Sequence, residues 1–208
     1  MQGRMKLHWS PRSPYVRKVM IAAHELGLSE RMETVRTVVG GTTPHRELMR
    51  ENPLGKIPTL VLTDGTVLYD SPVICEYLDT LHGGPKLFPD WPARATALRR
   101  LALGDGMLDI GLAWIAERWR PTERQSAAHI RLWQEKILAC LDVLENEADV
   151  LRADPFTIGH IAVGVALGYL DFRFPALAWR ENRPRLTNWQ AKFDARPSVR
   201  ANVPVDDR

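Results

Sequence analysis

The sequence predicts a small α/β domain followed by an all-helical domain, and three observations carry that expectation. Up to about residue 82, short β-rich runs alternate with helical periodicity. The stretch HGGPKLFPDWP, residues 82–92, then gathers two glycines and three prolines and reads as a linker. Beyond it, every apolar pattern repeats with the period of a helix. The division is therefore 1–82 and 91–208.

Residues 5–10 read as a strand that ends at Ser10. A helix is expected from Ser13 to Leu26, with Val16, Val19, Met20, Ala23 and Leu26 on one face and Gly27 as its stop. Residues 32–39 are rich in β-branched side chains. The polar segment 40–52 has room for a short helix. Residues 59–63 and 66–69 flank Asp64-Gly65, a pair that favours a type I′ hairpin turn. Residues 71–81 are helical again. In the second domain one long helix spans 93–119 until Pro121 breaks it, and Thr122 is placed to cap the next, about 123–152. Helices over 157–173 and 185–195 complete the set.

Bulk properties exclude several classes. Of 208 residues, 45% are hydrophobic and 25% charged, the balance of a soluble globular chain. A net charge of +3 without a basic run argues against nucleic-acid binding. The longest nearly uncharged stretch, 158–170, is too short for a bilayer, so no membrane partner is expected. The start lacks the apolar run of a signal peptide. The two cysteines, Cys75 and Cys140, lie far apart within helical patterns and read as reduced packing residues. A cytoplasmic location follows from these points.

Three short stretches carry the chemistry. In SPRSPYVRKV, Ser13 stands before Pro14, the sequence of an N-cap followed by proline at the first helical position. Two readings fit Ser13: a plain helix cap, and a hydroxyl that donates to an anion held at the helix N-terminus. A thiolate is such an anion, and thiols acidify at helix N-termini. Ser10 reads as a turn residue and a weaker candidate. In LYDSPVICEYLD, Asp70 and Ser71 again open a helix straight after a strand. Together they would receive the ammonium and carboxylate of an amino-acid head group, or simply cap the helix. In NPLGKIPTL, Pro58 leads into a strand, and Ile57 before it has backbone groups that an extended peptide could pair with.

In this order and spacing, the three stretches resemble the N-terminal domain of soluble glutathione transferases. LALGDGMLDIGL, residues 101–112, and IAVGVALGYLDFR, residues 161–173, are similar to the helical domain of bacterial members. The resemblance implies a thioredoxin-like first domain and a helical second domain lining the electrophile site. It implies glutathione as co-substrate, no metal, and a small hydrophobic electrophile conjugated at the sulfur. Ser13 then faces the sulfur, with Ser10 as the alternative. Ile57 precedes a cis-proline, Pro58, and pairs with the cysteinyl backbone. Lys56 lies beside them, and Asp70 with Ser71 holds the γ-glutamyl end. A homodimer is also implied, in which Asp105 either reaches the neighbouring site or serves its own subunit as a solvated or capping carboxylate. Ser-x-x-Ser occupies the place of a redox Cys-x-x-Cys, so the site can ionise a partner's thiol without running dithiol exchange.

The chain departs from the family at His160, where Thr-x-x-Asp is usual; this helix end is expected to be weaker or capped otherwise. The same glutathione site would also serve peroxide reduction, isomerisation or dehalogenation, and a binding protein without catalysis shares the fold.

Overall fold

The computed structural model describes residues 3–207. Its chain divides into two units: residues up to Phe88 together with those from Pro197 on, and Pro89–Arg196.

The first unit is built on a four-stranded sheet. In chain order it contains β1 (Met5–Trp9), α1 (Pro14–Glu25), β2 (Met32–Arg36), α2 (Arg46–Glu51), β3 (Thr59–Val61), β4 (Val67–Leu68) and α3 (Ser71–Asp79). The spatial order is β2-β1-β3-β4. β1 runs parallel to β2 and antiparallel to β3, and β3 runs antiparallel to β4. The parallel β1–β2 pair needs a crossover, and α1 supplies it. α1 packs on α3. Leu7 and Leu60 from the strands, with Val19, Ile21, Ile74 and Leu78 from the helices, are fully buried and form the core.

The hairpin is shorter than the sequence suggests and its turn differs. Asp64 has no positive φ; only Gly65 does, at +87°. The Leu62 carbonyl accepts from Gly65 N–H at 3.0 Å, and Leu62 N–H donates to the Thr66 carbonyl at 2.8 Å. This is a three-residue loop with glycine in the left-handed position, not a type I′ pair. Asp64 Oδ1 accepts from Thr66 N–H at 2.9 Å, which favours the wider loop.

The second unit is helical: α4 (Ala93–Arg118), α5 (Ala127–Ala153), α6 (Ile158–Arg173) and α7 (Pro184–Asp194). Thr122 does not cap α5. It opens a single 3₁₀ turn, and Ser126 is the cap, accepting from His129 N–H at 3.3 Å. α6 is buried nearly all round and lies against α4. Two glycines permit that approach. A Cβ on Gly104 would stand 2.6 Å from the Ala162 carbonyl carbon, and one on Gly159 would stand 2.8 Å from the Ala97 carbonyl oxygen. Trp114 is buried against Phe174, with ring centroids 4.4 Å apart, so it is a packing residue of this unit. None of the described helices is long and apolar enough to cross a membrane.

The end of α6 is capped by the histidine itself. His160 Nδ1 accepts from Thr157 N–H at 3.1 Å. Its Nε2 lies 3.0 Å from the Leu151 carbonyl, which can only accept, so Nε2 carries the proton. The neutral ring thus does the work of the absent carboxylate.

A further difference concerns the last residues. α8 (Pro197–Arg200) and the segment after it cluster with the first unit, where the sequence division had assigned them to the helical domain. Ser198 hydrogen-bonds Glu25, and Arg17 Nε donates to the Asn202 carbonyl at 2.8 Å.

Two stability predictions follow from this packing. Gly104→Ala forces a methyl group into the Ala162 backbone and should cost about 1–3 kcal/mol in chemical denaturation; an unchanged midpoint would contradict the close approach. Burial pushes the His160 pKa below its ordinary 6.5. Between that lowered value and 6.5, the folded state binds fewer protons than the unfolded one. Its contribution is therefore complete above 6.5 and lost as pH falls below it. His160→Gln should flatten the acid side of the stability profile relative to the parent, and parallel profiles would refute the neutral cap.

Candidate functional site

The strand registers decide where the chemistry gathers. His8 pairs with Thr59, and Leu60 pairs with Leu68. The end of β1, the start of β3 and the end of β4 therefore lie side by side. The loops at that end hold Ser10–Ser13, Lys56–Pro58 and Asp70–Ser71. Two helix N-termini, those of α1 and α3, open from it.

Ser13 is the N-cap of α1, with extended backbone at φ −82°, ψ 118°. Its Oγ accepts from Val16 N–H at 3.3 Å, which leaves the hydroxyl proton to be donated outward. Ser10 is buried, 6% exposed, and its Oγ accepts from Arg12 N–H at 3.4 Å. Ser13 is half-buried and the more open of the two. The Ser10 carbonyl accepts from Ser13 N–H at 3.2 Å, so the two serines belong to one tight turn.

Asp70 stands at the N-cap of α3, yet its side chain makes no capping bond. Its main-chain carbonyl accepts from Ile74 N–H at 3.0 Å, while the carboxylate is exposed. Plain capping thus does not account for the aspartate. Ser71, the first residue of α3, is 1% exposed. The Ile57–Pro58 and Tyr69–Asp70 peptides are both cis.

Ile57 is buried, and no hydrogen bond among the described residues uses its N–H or C=O. The loop that presents it is shaped by Asn52, a residue the sequence reading passed over. Asn52 is 1% exposed. Its Nδ2 donates to the Lys56 carbonyl at 3.1 Å and to Thr59 Oγ1 at 2.9 Å, and its Oδ1 accepts from Leu54 N–H at 3.0 Å. Thr59 Oγ1 also donates to the Lys56 carbonyl at 2.8 Å. The Lys56 side chain itself points to solvent. The available signal was Asn52-Pro53, a dipeptide that favours turn initiation.

α2, which leads into this loop, is fastened to β1 by charge. Glu51 Oε2 lies 2.6 Å from His8 Nε2, and Glu51 Oε1 lies 2.5 Å from Lys6 Nζ. Burial raises the Glu51 pKa, but the hydrogen bonds from Lys6 and His8 outweigh it and hold the carboxyl below its usual value. Asp105 belongs to the other unit, on α4, and is half-buried.

Residues 12–81 match the family model for the glutathione S-transferase N-terminal domain, and residues 127–190 match that for the C-terminal domain. Over 203 residues the chain is 34% identical to the uncharacterized GST-like protein YibF of Escherichia coli K12, across 96% of this chain and 98% of that protein. The chain belongs to the glutathione S-transferase family. The order βαβαββα of its first unit is the family's thioredoxin-like domain, and the second unit is its helical domain. Among solved structures, a glutathione transferase family member from Pseudomonas fluorescens Pf-5, with bound glutathione, is 41% identical. It superposes with a TM-score of 0.93 over 97% of this chain and all of that one (100%). A glutathione S-transferase from Methylobacillus flagellatus KT with glutathione bound is 35% identical, with a TM-score of 0.89 over 97% and 100% of the two chains.

Asn52→Ala should remove one of the two donors to the Lys56 carbonyl and the acceptor of Leu54 N–H, and cost about 1–3 kcal/mol of stability. Amide exchange should quicken first in residues 54–57; uniform protection would show that the loop holds without Asn52.

Proposed function

We propose that this family member binds glutathione along the shared end of the sheet and transfers its thiolate to a small electrophile. Asp70 carries the proposal. It is an exposed carboxylate at a helix N-terminus that is not used for capping, beside the buried Ser71 and at the same sheet end as the Ser13 cap. Bound glutathione in similar structures at 41% and 35% identity supports the same reading.

The chemistry follows from the placement. Asp70 accepts from the γ-glutamyl ammonium, and Ser71 with the first amides of α3 donates to the carboxylate. Ile57 exchanges main-chain hydrogen bonds with the cysteinyl residue, as an added strand would. Lys56, exposed next to it, offers its ammonium to the glycine carboxylate. The sulfur then lies at the N-terminus of α1, where the helix dipole and the Ser13 hydroxyl favour the thiolate. The thiol proton goes to solvent. The sulfur lone pair forms the new bond to carbon while the leaving group departs with its own electron pair, or the charge is taken up by a conjugated acceptor. Ser13 donates throughout and is never alkylated. The proposal includes a homodimer in which Asp105 of the partner subunit approaches the glutathione amine; a monomer of full activity in sedimentation would remove that part alone.

Kinetics separate the roles. Ser13→Ala should lower kcat about tenfold to a hundredfold, the loss of one hydrogen bond to an anion. Ser71→Ala should raise KM for glutathione and leave kcat nearly unchanged, because its contacts are the same in ground and transition states. If Ser71→Ala reduced kcat alone, the two ends of the peptide would have been assigned the wrong way round.

A further inference from the structure

The segment that follows α8 returns to the loop between the two serines. Val205 N–H donates to the Pro11 carbonyl at 3.3 Å. One carboxylate of Asp207 is shared by two guanidinium groups. Arg12 Nε approaches Oδ1 at 3.1 Å, and Arg36 approaches Oδ2 with Nε at 2.8 Å and Nη2 at 2.7 Å. Arg12 lies inside Ser10-Pro11-Arg12-Ser13, and Arg36 is the last residue of β2. The same segment is anchored upstream, where Arg17 Nε donates to the Asn202 carbonyl at 2.8 Å and Asn202 Nδ2 donates to the Ser198 carbonyl at 2.7 Å.

We propose that Asp207 is a positioning residue for the glutathione thiolate, tying the serine loop to the end of β2 so that the Ser13 hydroxyl and the α1 N-terminus keep their aim. The inference rests on the glutathione-binding function proposed above. An exposed ion pair by itself contributes little. This carboxylate differs because it joins three separate segments, and because the Pro11 carbonyl, next to Arg12 in the serine loop, is held by Val205 N–H at the same time. The turn it steadies holds the bonds Arg12 N–H to Ser10 Oγ and Ser13 N–H to the Ser10 carbonyl, and it leads directly into the bond from Val16 N–H of α1 to Ser13 Oγ. Loosening the turn lets Ser13 rotate away without unfolding α1.

Electrostatics and positioning act on the thiol in opposite directions, which makes the proposal decidable. Asp207→Asn removes a negative charge from the neighbourhood and frees Arg12. By charge alone, both changes would lower the pKa of a bound thiol. Lost aim of the Ser13 hydroxyl would raise it. The experiment measures the pH profile of kcat/KM for an activated aryl halide at saturating glutathione, where the enzyme–glutathione complex is the species that titrates, together with amide exchange without ligand. In Asp207→Asn the bound-thiol pKa should rise by about half a unit, with kcat falling roughly two- to fivefold. Amides of residues 12, 13 and 16 should exchange faster, and Asp207→Glu should restore most of both. A pKa that falls or stays fixed overturns the positioning role even if activity drops, since a smaller folded fraction lowers kcat without moving a pKa. Unchanged exchange at the three amides overturns the tie itself. Failure of the unsubstituted protein to bind glutathione would instead defeat the proposed function, while the exchange measurement would still decide the tie.

Discussion

Everything proposed for this protein depends on β3 running antiparallel to both of its neighbours. That single arrangement brings the end of β1, the start of β3 and the end of β4 to one edge. With β3 reversed, the Ile57–Pro58 loop would stand at the far end of the sheet from Ser13 and Asp70. The pairing is short, and β4 has only two residues, so side-chain contacts must secure it beyond the ladder's own hydrogen bonds. Buried Leu60 does so through the core. Asn52 does so through the loop, and the Lys6–Glu51–His8 network does so by fastening α2 to β1.

The two helices that open from this edge present the same physics for different purposes. At α1 the cap is used internally: Ser13 accepts from Val16 and has its proton left to give. At α3 the cap residue Asp70 makes no side-chain capping bond, and its carboxylate faces water. A helix N-terminus with an unused acceptor beside it suits a zwitterion, whereas one with an outward donor suits an anion. Between them at the same sheet end stands the loop of Ile57, whose N–H and C=O take no hydrogen bond among the described residues.

Much of this was legible in the sequence because it is local. Helix caps, proline at the first helical position and the apolar period of α1 and α5 all depend on neighbours within a turn or two. Where local chemistry allowed two outcomes, the sequence misled. Asp64-Gly65 serves a two-residue or a three-residue loop, and the Asp64 bond to Thr66 selects the latter. Thr122 and Ser126 both have the right hydroxyl, but only Ser126 meets the free amide of the following helix. At His160 another cap was one of the two expected outcomes, and a neutral ring nitrogen accepts the bond a carboxylate would take. The 197–207 segment was hidden for another reason. The partners of Asp207 and Asn202 are Arg12, Arg17 and Arg36, too distant in the chain for any periodicity to reveal.

The central claim is that the edge binds glutathione as its thiolate. Titrating the ultraviolet absorbance of the thiolate in the saturated complex tests it without any electrophile. The account predicts an apparent thiol pKa clearly below that of glutathione free in the same buffer. A bound pKa equal to or above the free value would contradict it, whatever the affinity.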